Sequence, residues 1–183
     1  MRTVIVYESQ FGNTRQVADA IAEGARQVSE VRMVNVNDAT PERLDSADLV
    51  LVGGPTHVHG MSRPETRAQA QRIADADDNL ILEPQAPGTG IREWLESGPV
   101  LPALVAAFDT RADAAKWLTG SAARHIAKRL RGHGRTMVIE PGSFLAPDND
   151  IDLSEVERAR DWGARAARSA IETTGLDYAR RTI

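Results

Sequence analysis

The strongest constraint in this chain is an alternation: short β-branched runs with no helical period take turns with segments whose apolar residues recur at three-and-four spacing. Thr3-Val4-Ile5-Val6-Tyr7 opens the series and reads as a strand buried on both faces. After the loop Glu8 to Asn13, residues Val17, Ala18, Ile21, Ala25 and Val28 mark an amphipathic helix. Val31 to Val36 reads as a second strand, and Asp48 to Gly53 as a third ending in Gly-Gly-Pro. Ser62-Arg63-Pro64-Glu65 has capping-box spacing with a proline in the first turn, which starts a helix at Ser62 that ends near Asp77. Asn79 to Gly90 contains two prolines and two glycines and reads as a surface excursion, followed by a short helix over Ile91 to Leu95. Ala103 to Phe108 is the fourth strand. Ser121 to Leu130 is a helix with Ala122, Ala123, Ile126, Ala127 and Leu130 inward, and Thr136 to Glu140 is the fifth strand. The last helix opens at Ser154-Glu155-Val156-Glu157 and presents Val156, Ala159, Gly163, Ala166, Ala167 and Ala170 on one face.

Strands alternating with helices through short loops imply a parallel sheet with helices on both faces and right-handed crossovers. The expected fold is therefore α/β, a three-layer sandwich around a five-stranded parallel sheet, and 183 residues suit one domain over 1–183.

Apolar residues at 42% and charged residues at 26% are ordinary for a soluble globular chain. No apolar run is long enough to cross a bilayer, and Met1-Arg2-Thr3 leads straight into a strand instead of a signal peptide, so a cytoplasmic location without membrane insertion is expected. The absence of cysteine excludes disulfides, thiolate metal sites and thiol nucleophiles, so redox chemistry must come from a bound cofactor. A formal charge of −4 is too mild to imply nucleic acid.

In sheets of this kind ligands sit outside the carboxyl ends of the strands, where strand order switches. The loop Ser9-Gln10-Phe11-Gly12-Asn13-Thr14 lies there, between a buried strand and a helix amino terminus whose free N–H groups and dipole favour a phosphate. Ser9 and Thr14 add hydroxyl donors, Gly12 lets the backbone turn, and Asn13 tolerates left-handed dihedrals or caps the helix. No lysine completes a nucleoside-triphosphate loop, and a lone monophosphate suits the loop better.

The run Ile5-Val6-Tyr7-Glu8-Ser9-Gln10-Phe11-Gly12-Asn13-Thr14, followed by Ala18 and Ile21, resembles the flavodoxin signature. The resemblance implies a sheet in flavodoxin-like order 2-1-3-4-5 and a bound flavin mononucleotide (FMN) whose phosphate lies in the loop from Ser9 to Thr14. It further implies that Pro55, Thr56, His57, Val58, His59 and Gly60 wrap the ribityl chain and ring, with Gly60 free to turn its peptide at positive φ. Phe108, Asp109, Thr110 and Arg111 would meet the pyrimidine edge, although Arg111 alternatively pairs with Asp113 in solvent. No tryptophan or tyrosine stands at a ring-flanking position, which leaves His57, Val58, Met61 or Phe108 to cover the ring. Ile91-Arg92-Glu93-Trp94-Leu95, Phe108 to Arg111 and Gly120-Ser121-Ala122 resemble an actinobacterial branch of flavodoxin-domain proteins.

Other readings of the same residues are weaker. His57 and His59 as metal ligands lack a nearby carboxylate, and Ser9, His57 and Asp109 as a hydrolytic triad lack a Gly-x-Ser-x-Gly elbow. Trp94, Trp117 and Trp162 fall in or beside helices, where packing is the commoner role. Arg124, His125, Lys128, Arg129, Arg131, His133 and Arg135 form a basic run: a solvated face, a docking patch for an acidic redox partner, or a seat for the extra phosphate of NADPH. The ring loops contain His57, His59, Arg63 and Arg111 against Asp109, a field that reads as neutral to positive. The resemblance implies an electron carrier working with a redox partner protein. The second reading is an FMN-dependent NAD(P)H:acceptor oxidoreductase of quinone type, with NAD(P)H as donor, and the third is an interaction domain that has lost its cofactor.

Overall fold

A computed structural model describes residues 1–57, 60–113, 120–147 and 150–181, with side chains through Gly175. In chain order the elements are β1 (Arg2–Tyr7), α1 (Asn13–Ala25), β2 (Glu30–Asn35), a 3-10 turn over Val36–Asp38, α2 (Pro41–Leu44), β3 (Leu49–His57) and β4 (Gly60–Met61). They continue with α3 (Pro64–Ala76), α4 (Ile91–Glu96), β5 (Leu104–Arg111), α5 (Ala122–Gly132), β6 (Thr136–Met137), β7 (Gly142–Leu145) and α6 (Leu153–Arg181).

The strand order is β2-β1-β3-β5-β6, all parallel, with β7 also parallel to β5 and β4 antiparallel to β3. This is the expected 2-1-3-4-5 order, but the described sheet has seven strands, not five. The fifth strand, expected as one run over Thr136 to Glu140, is split: β6 pairs with the start of β5 and β7 with its end. Pro141 stands at the break, where a residue without an N–H cannot continue the ladder. The third strand overshoots Gly53, reaches His57 and folds back as β4, pairing Thr56 with Met61 and His57 with Gly60.

Alternate residues of the strands feed two cores, as the period of two requires. Val4, Val6, Val50, Val52, Val105 and Ala107 pack with Ile91, Trp94, Ile126 and Leu130 from α4 and α5. Ile5, Leu49, Leu51, Ala106 and Phe108 pack with Val17 and Ile21 of α1 and with Ala159, Trp162, Ala166 and Ala170 of α6. Trp94 and Trp162 are packing residues whose indole N–H groups reach Ala39 O (3.2 Å) and Glu140 O (3.1 Å). Trp117 lies outside the described residues. None of the described helices is long and apolar enough to cross a membrane.

Two helix starts differ from expectation. Ser62 does not cap α3: it is fully buried and accepts from Arg67 Nη1 (3.0 Å), while the Arg63 N–H donates to Thr66 Oγ1 (2.9 Å) ahead of Pro64. At α6 the cap is Asp152, whose Oδ1 accepts the N–H groups of Ser154 (2.8 Å) and Glu155 (3.1 Å), instead of Ser154.

The small residues of α6 serve close packing against α1 as well as the sheet. A Cβ at Gly24 would lie 1.9 Å from Arg160 O, and one at Gly163 would lie 2.2 Å from Ile21 O. The backbones therefore touch where a methyl group has no room. Gly24→Ala and Gly163→Ala are each expected to destabilise the fold by about 1–3 kcal/mol in urea titrations. Gly175→Ala, with no described atom within 4 Å of its would-be Cβ, should leave stability unchanged or slightly raised.

Candidate functional site

The loop between β1 and α1 is shaped by Gly12, whose φ of 93° lies in the left-handed region. Space is not the reason for glycine here, since a Cβ would meet only Glu83 Oε1, at 3.8 Å; the dihedral is. Ser9 Oγ accepts the Gly12 N–H (3.2 Å), which holds the turn from behind. The first backbone bond of α1 runs from Gln16 N–H to Gly12 O (2.9 Å), so the N–H groups of Asn13, Thr14 and Arg15 are the open amino-terminal donors of the helix. Such a terminus attracts an anion through its N–H groups and its dipole.

Three strand ends meet around these donors. A hollow of about 190 Å³ is walled by Gln10, Phe11, Asn13 and Thr14 from the first loop, by Pro55, Thr56 and His57 from β3, and by Thr110, Arg111 and Ala112 from the end of β5, with Ala146 beyond β7. Thr14 Oγ1 and Thr110 Oγ1 are 2.7 Å apart in a buried hydrogen bond that ties the first wall to the third. Gln10 is 3% exposed, yet both its amide oxygen and its amide nitrogen lack a partner, and His57 Nε2 is likewise buried without one. Buried polar groups are rarely left unmatched, so orphans facing a hollow mark a place for a ligand's own donors and acceptors. Burial, with a smaller effect from Arg67, pushes the His57 pKa down, so the ring is neutral at physiological pH.

Asp109 is fully buried behind this hollow. Its Oδ2 accepts from Thr56 Oγ1 (3.1 Å), Ser121 Oγ (2.6 Å) and the Ala123 N–H (2.8 Å), and Thr56 Oγ1 in turn accepts the Ala122 N–H (2.9 Å). Thr56 and Asp109 thus cap α5 and lock it to β3 and β5; Asp109 Oδ1 has no partner. Arg111 does not sit in solvent with Asp113: its guanidinium donates to Ser143 Oγ (3.1 Å) and Ala112 O (3.3 Å).

Phe108 is a core side chain, fully buried against Trp162, with its ring where a Cβ on Gly53 would fall 2.2 Å away; it cannot cover a ligand ring. Met61 is likewise in the core. Gly60 is not at positive φ, and its need for glycine has another cause: a Cβ there would lie 2.5 Å from His125 Nδ1. Val58 and His59 lie outside the described residues. The structure therefore gathers Gln10, Phe11, Asn13, Thr14, Pro55, Thr56, His57, Thr110 and Arg111 around one hollow, with Ser9, Gly12 and Asp109 supporting it from behind.

Two features were not legible in the sequence. The excursion from Asn79 to Gly90 reaches the first loop, where the Glu83 N–H donates to Gln10 O (2.7 Å) and Glu83 Oε1 pairs with Arg15 Nε (2.8 Å). Glu8, one residue past β1, is buried; its Oε2 accepts the Ile91 N–H (2.9 Å) and its Oε1 has no partner. Beside it Arg67 Nη1 bonds Ser62 Oγ (3.0 Å) and Glu93 Oε2 (3.1 Å). A charged residue at a strand end was the available signal, but nothing local tells such a glutamate from a solvated one.

Comparisons with known proteins bear on the fold and on the first part of the chain. Residues 4–75 match the flavodoxin domain model. Over that stretch the chain is similar to flavodoxins. A flavodoxin of Aquifex aeolicus is 39% identical over 59 residues, 31% of this chain and 32% of that protein, and flavodoxin FldP of Pseudomonas aeruginosa is 42% identical over 60 residues, again 31% and 32%. The match thus spans about a third of the length of these curated relatives. A solved flavodoxin from the domain Archaea shares the fold over 93% of this chain and 99% of its own at a TM-score of 0.63 and 20% identity.

Burial raises the Glu8 pKa above the ordinary 4.5, against the lowering effects of Ser62, Ile91 and Arg67. A carboxyl whose pKa is higher in the folded state contributes stability that is complete below its unfolded value and lost as pH rises through the folded one. In urea titrations across pH 4 to 8, the wild type minus Glu8→Gln difference in unfolding free energy should fall as pH rises; a flat difference would place Glu8 in a solvated setting.

Proposed function

We propose that the chain binds FMN and passes electrons through the bound flavin to or from a redox partner protein, as a single flavodoxin-like domain over residues 1–183 in the cytoplasm. What carries this reading is one conjunction: left-handed Gly12 opens α1 with three free N–H groups, and Asn13 and Thr14 line the hollow where the Gln10 amide is buried without a partner. The N–H groups of Asn13, Thr14 and Arg15 and the Thr14 hydroxyl are suited to an anionic phosphate, held by main-chain dipoles in place of a lysine. Gln10 and Thr110 offer donors and acceptors to the rest of the ligand, and Arg111 adds a cation at the rim. The neutral His57 supplies cover without charge, so the field around the hollow is less positive than the residue types alone suggest. When bound, the flavin supplies the redox chemistry, and the chain's work is to hold, orient and shield it. The sequence of Ile91 to Leu95 and of Gly120 to Ala122 supports placement in the actinobacterial branch of the family.

Riboflavin, which lacks the phosphate, separates this assignment from general flavin affinity. Thr14→Ala should weaken FMN binding by about 1.5–3 kcal/mol in fluorescence-quenching titrations, and leave riboflavin binding unchanged, with Thr14→Ser restoring FMN affinity. Equal losses for both ligands, or none, would contradict a phosphate seat at this loop.

A further inference from the structure

The basic run of the sequence becomes a surface in the fold. Helix α5 carries Arg124, His125, Lys128, Arg129 and Arg131 and no acidic residue, while the chain as a whole has a formal charge of −4. On one flank of α5, His125, Lys128 and Arg129 join Arg63 and Arg92 around a hollow of about 480 Å³. On the other flank, Arg124 and Arg131 line a second hollow of about 380 Å³ with Glu140.

Helix stability does not explain this placement. Cations in the last turn of a helix are favoured by its dipole, which accounts for Arg129 and Arg131; Arg124 stands in the first turn, where the dipole opposes it. Two of the cations are also held in place. Arg92 donates through Nε to Ser62 O (3.0 Å) and through Nη2 to Met61 O (2.9 Å), and Arg129 pairs with Glu96 (2.8 Å). No ion pair engages Arg124, His125 or Lys128 among the described residues.

The surface adjoins the candidate flavin site. The α5 amino terminus is bonded to Thr56 and Asp109, and His125 lies directly beneath Gly60 on the strand that pairs with His57. We propose that this face docks an acidic one-electron carrier protein that exchanges electrons with the flavin, an inference that rests on the flavin reading above. The exchange makes no bond: one electron leaves the reduced centre of the partner and enters the flavin, so the partner is oxidised and the flavin reduced. Cations spread over both flanks of a helix, beyond the compass of one hollow, fit a protein surface better than a single phosphorylated nucleotide. Opposite charge there would steer the partner's redox centre toward the ring loops.

The test uses the purified full chain and a strongly acidic ferredoxin as the probe. Binding is measured first by calorimetry, which needs no flavin, so failure of docking and failure of the flavin assignment read separately. The dissociation constant should rise at least roughly tenfold from low to about 0.5 M salt, and again roughly tenfold at low salt in the Arg124→Glu/Lys128→Glu double variant. Arg124→Lys/Lys128→Arg should bind like the wild type. Stopped-flow reduction of the FMN-loaded chain by the reduced ferredoxin should show the same salt and charge-reversal dependence, with flavin absorbance intact in both variants. Absent or salt-insensitive binding, or binding unmoved by charge reversal, would overturn the proposal. So would rapid flavin reduction by NADPH alone that the charge-reversal pair abolishes, which would give the face to a phosphorylated nucleotide.

Discussion

The carboxyl group of Asp109 is the joint on which the functional end of this molecule depends. One of its oxygens receives the Thr56 hydroxyl from β3, the Ser121 hydroxyl and the Ala123 N–H from α5, while its own strand is β5. Next to it in sequence, Thr110 bonds Thr14 at the start of α1. Two adjacent residues of one strand thus fix the ends of two strands and two helices relative to each other, in the interior, where hydrogen bonds are least exchangeable with water. The hollow in front of them is a consequence: with its walls fixed from behind, the unpartnered groups of Gln10 and His57 stay in place to await a ligand.

Much of this was legible in the sequence, for identifiable reasons. The first strand, the first helix and the loop between them obey local rules: a β-branched run, apolar residues at helical spacing, and a glycine where the chain must turn left-handed. The alternation and crossover handedness imply a parallel sheet with helices on both faces, while the order 2-1-3-4-5 is implied by the resemblance to flavodoxins. What failed locally depended on partners far along the chain. Phe108 carries the same sequence signal whether its ring covers a ligand or fills the core under Gly53, and only the packing of α6 decides for the core. Gly60 carries the sequence signal of a flexible peptide, yet the histidine that demands its missing side chain lies on α5. Ser62 had the chemistry of a cap and was drawn inward by Arg67. The break in the fifth strand lies just before Pro141, a residue that cannot donate to a ladder, while the run before it carries an unbroken strand signal.

Charge in the molecule is sorted by position. Around the candidate flavin site two ionisable groups are muted: His57 is pushed toward its neutral form, and burial likewise favours the neutral form of Glu8 behind the first loop. A little further out, Arg15 and Glu83 pair across the loop, and α5 concentrates exposed cations on the neighbouring face. A pocket with few charges beside a strongly charged face is consistent with the flavin binding and partner docking proposed above.

Whether a phosphate is received by the main chain after β1 decides the proposed function. Amide nuclear magnetic resonance of the isotopically labelled protein reads this directly, by comparing shifts caused by FMN with those caused by riboflavin. The phosphate-dependent changes should be largest at the N–H groups of Gly12, Asn13, Thr14 and Arg15, with the Gln10 side-chain amide moving for both ligands. Were the largest phosphate-dependent changes to fall along α5 and Arg92 instead, the first loop would be an ordinary helix start and the central claim would be wrong.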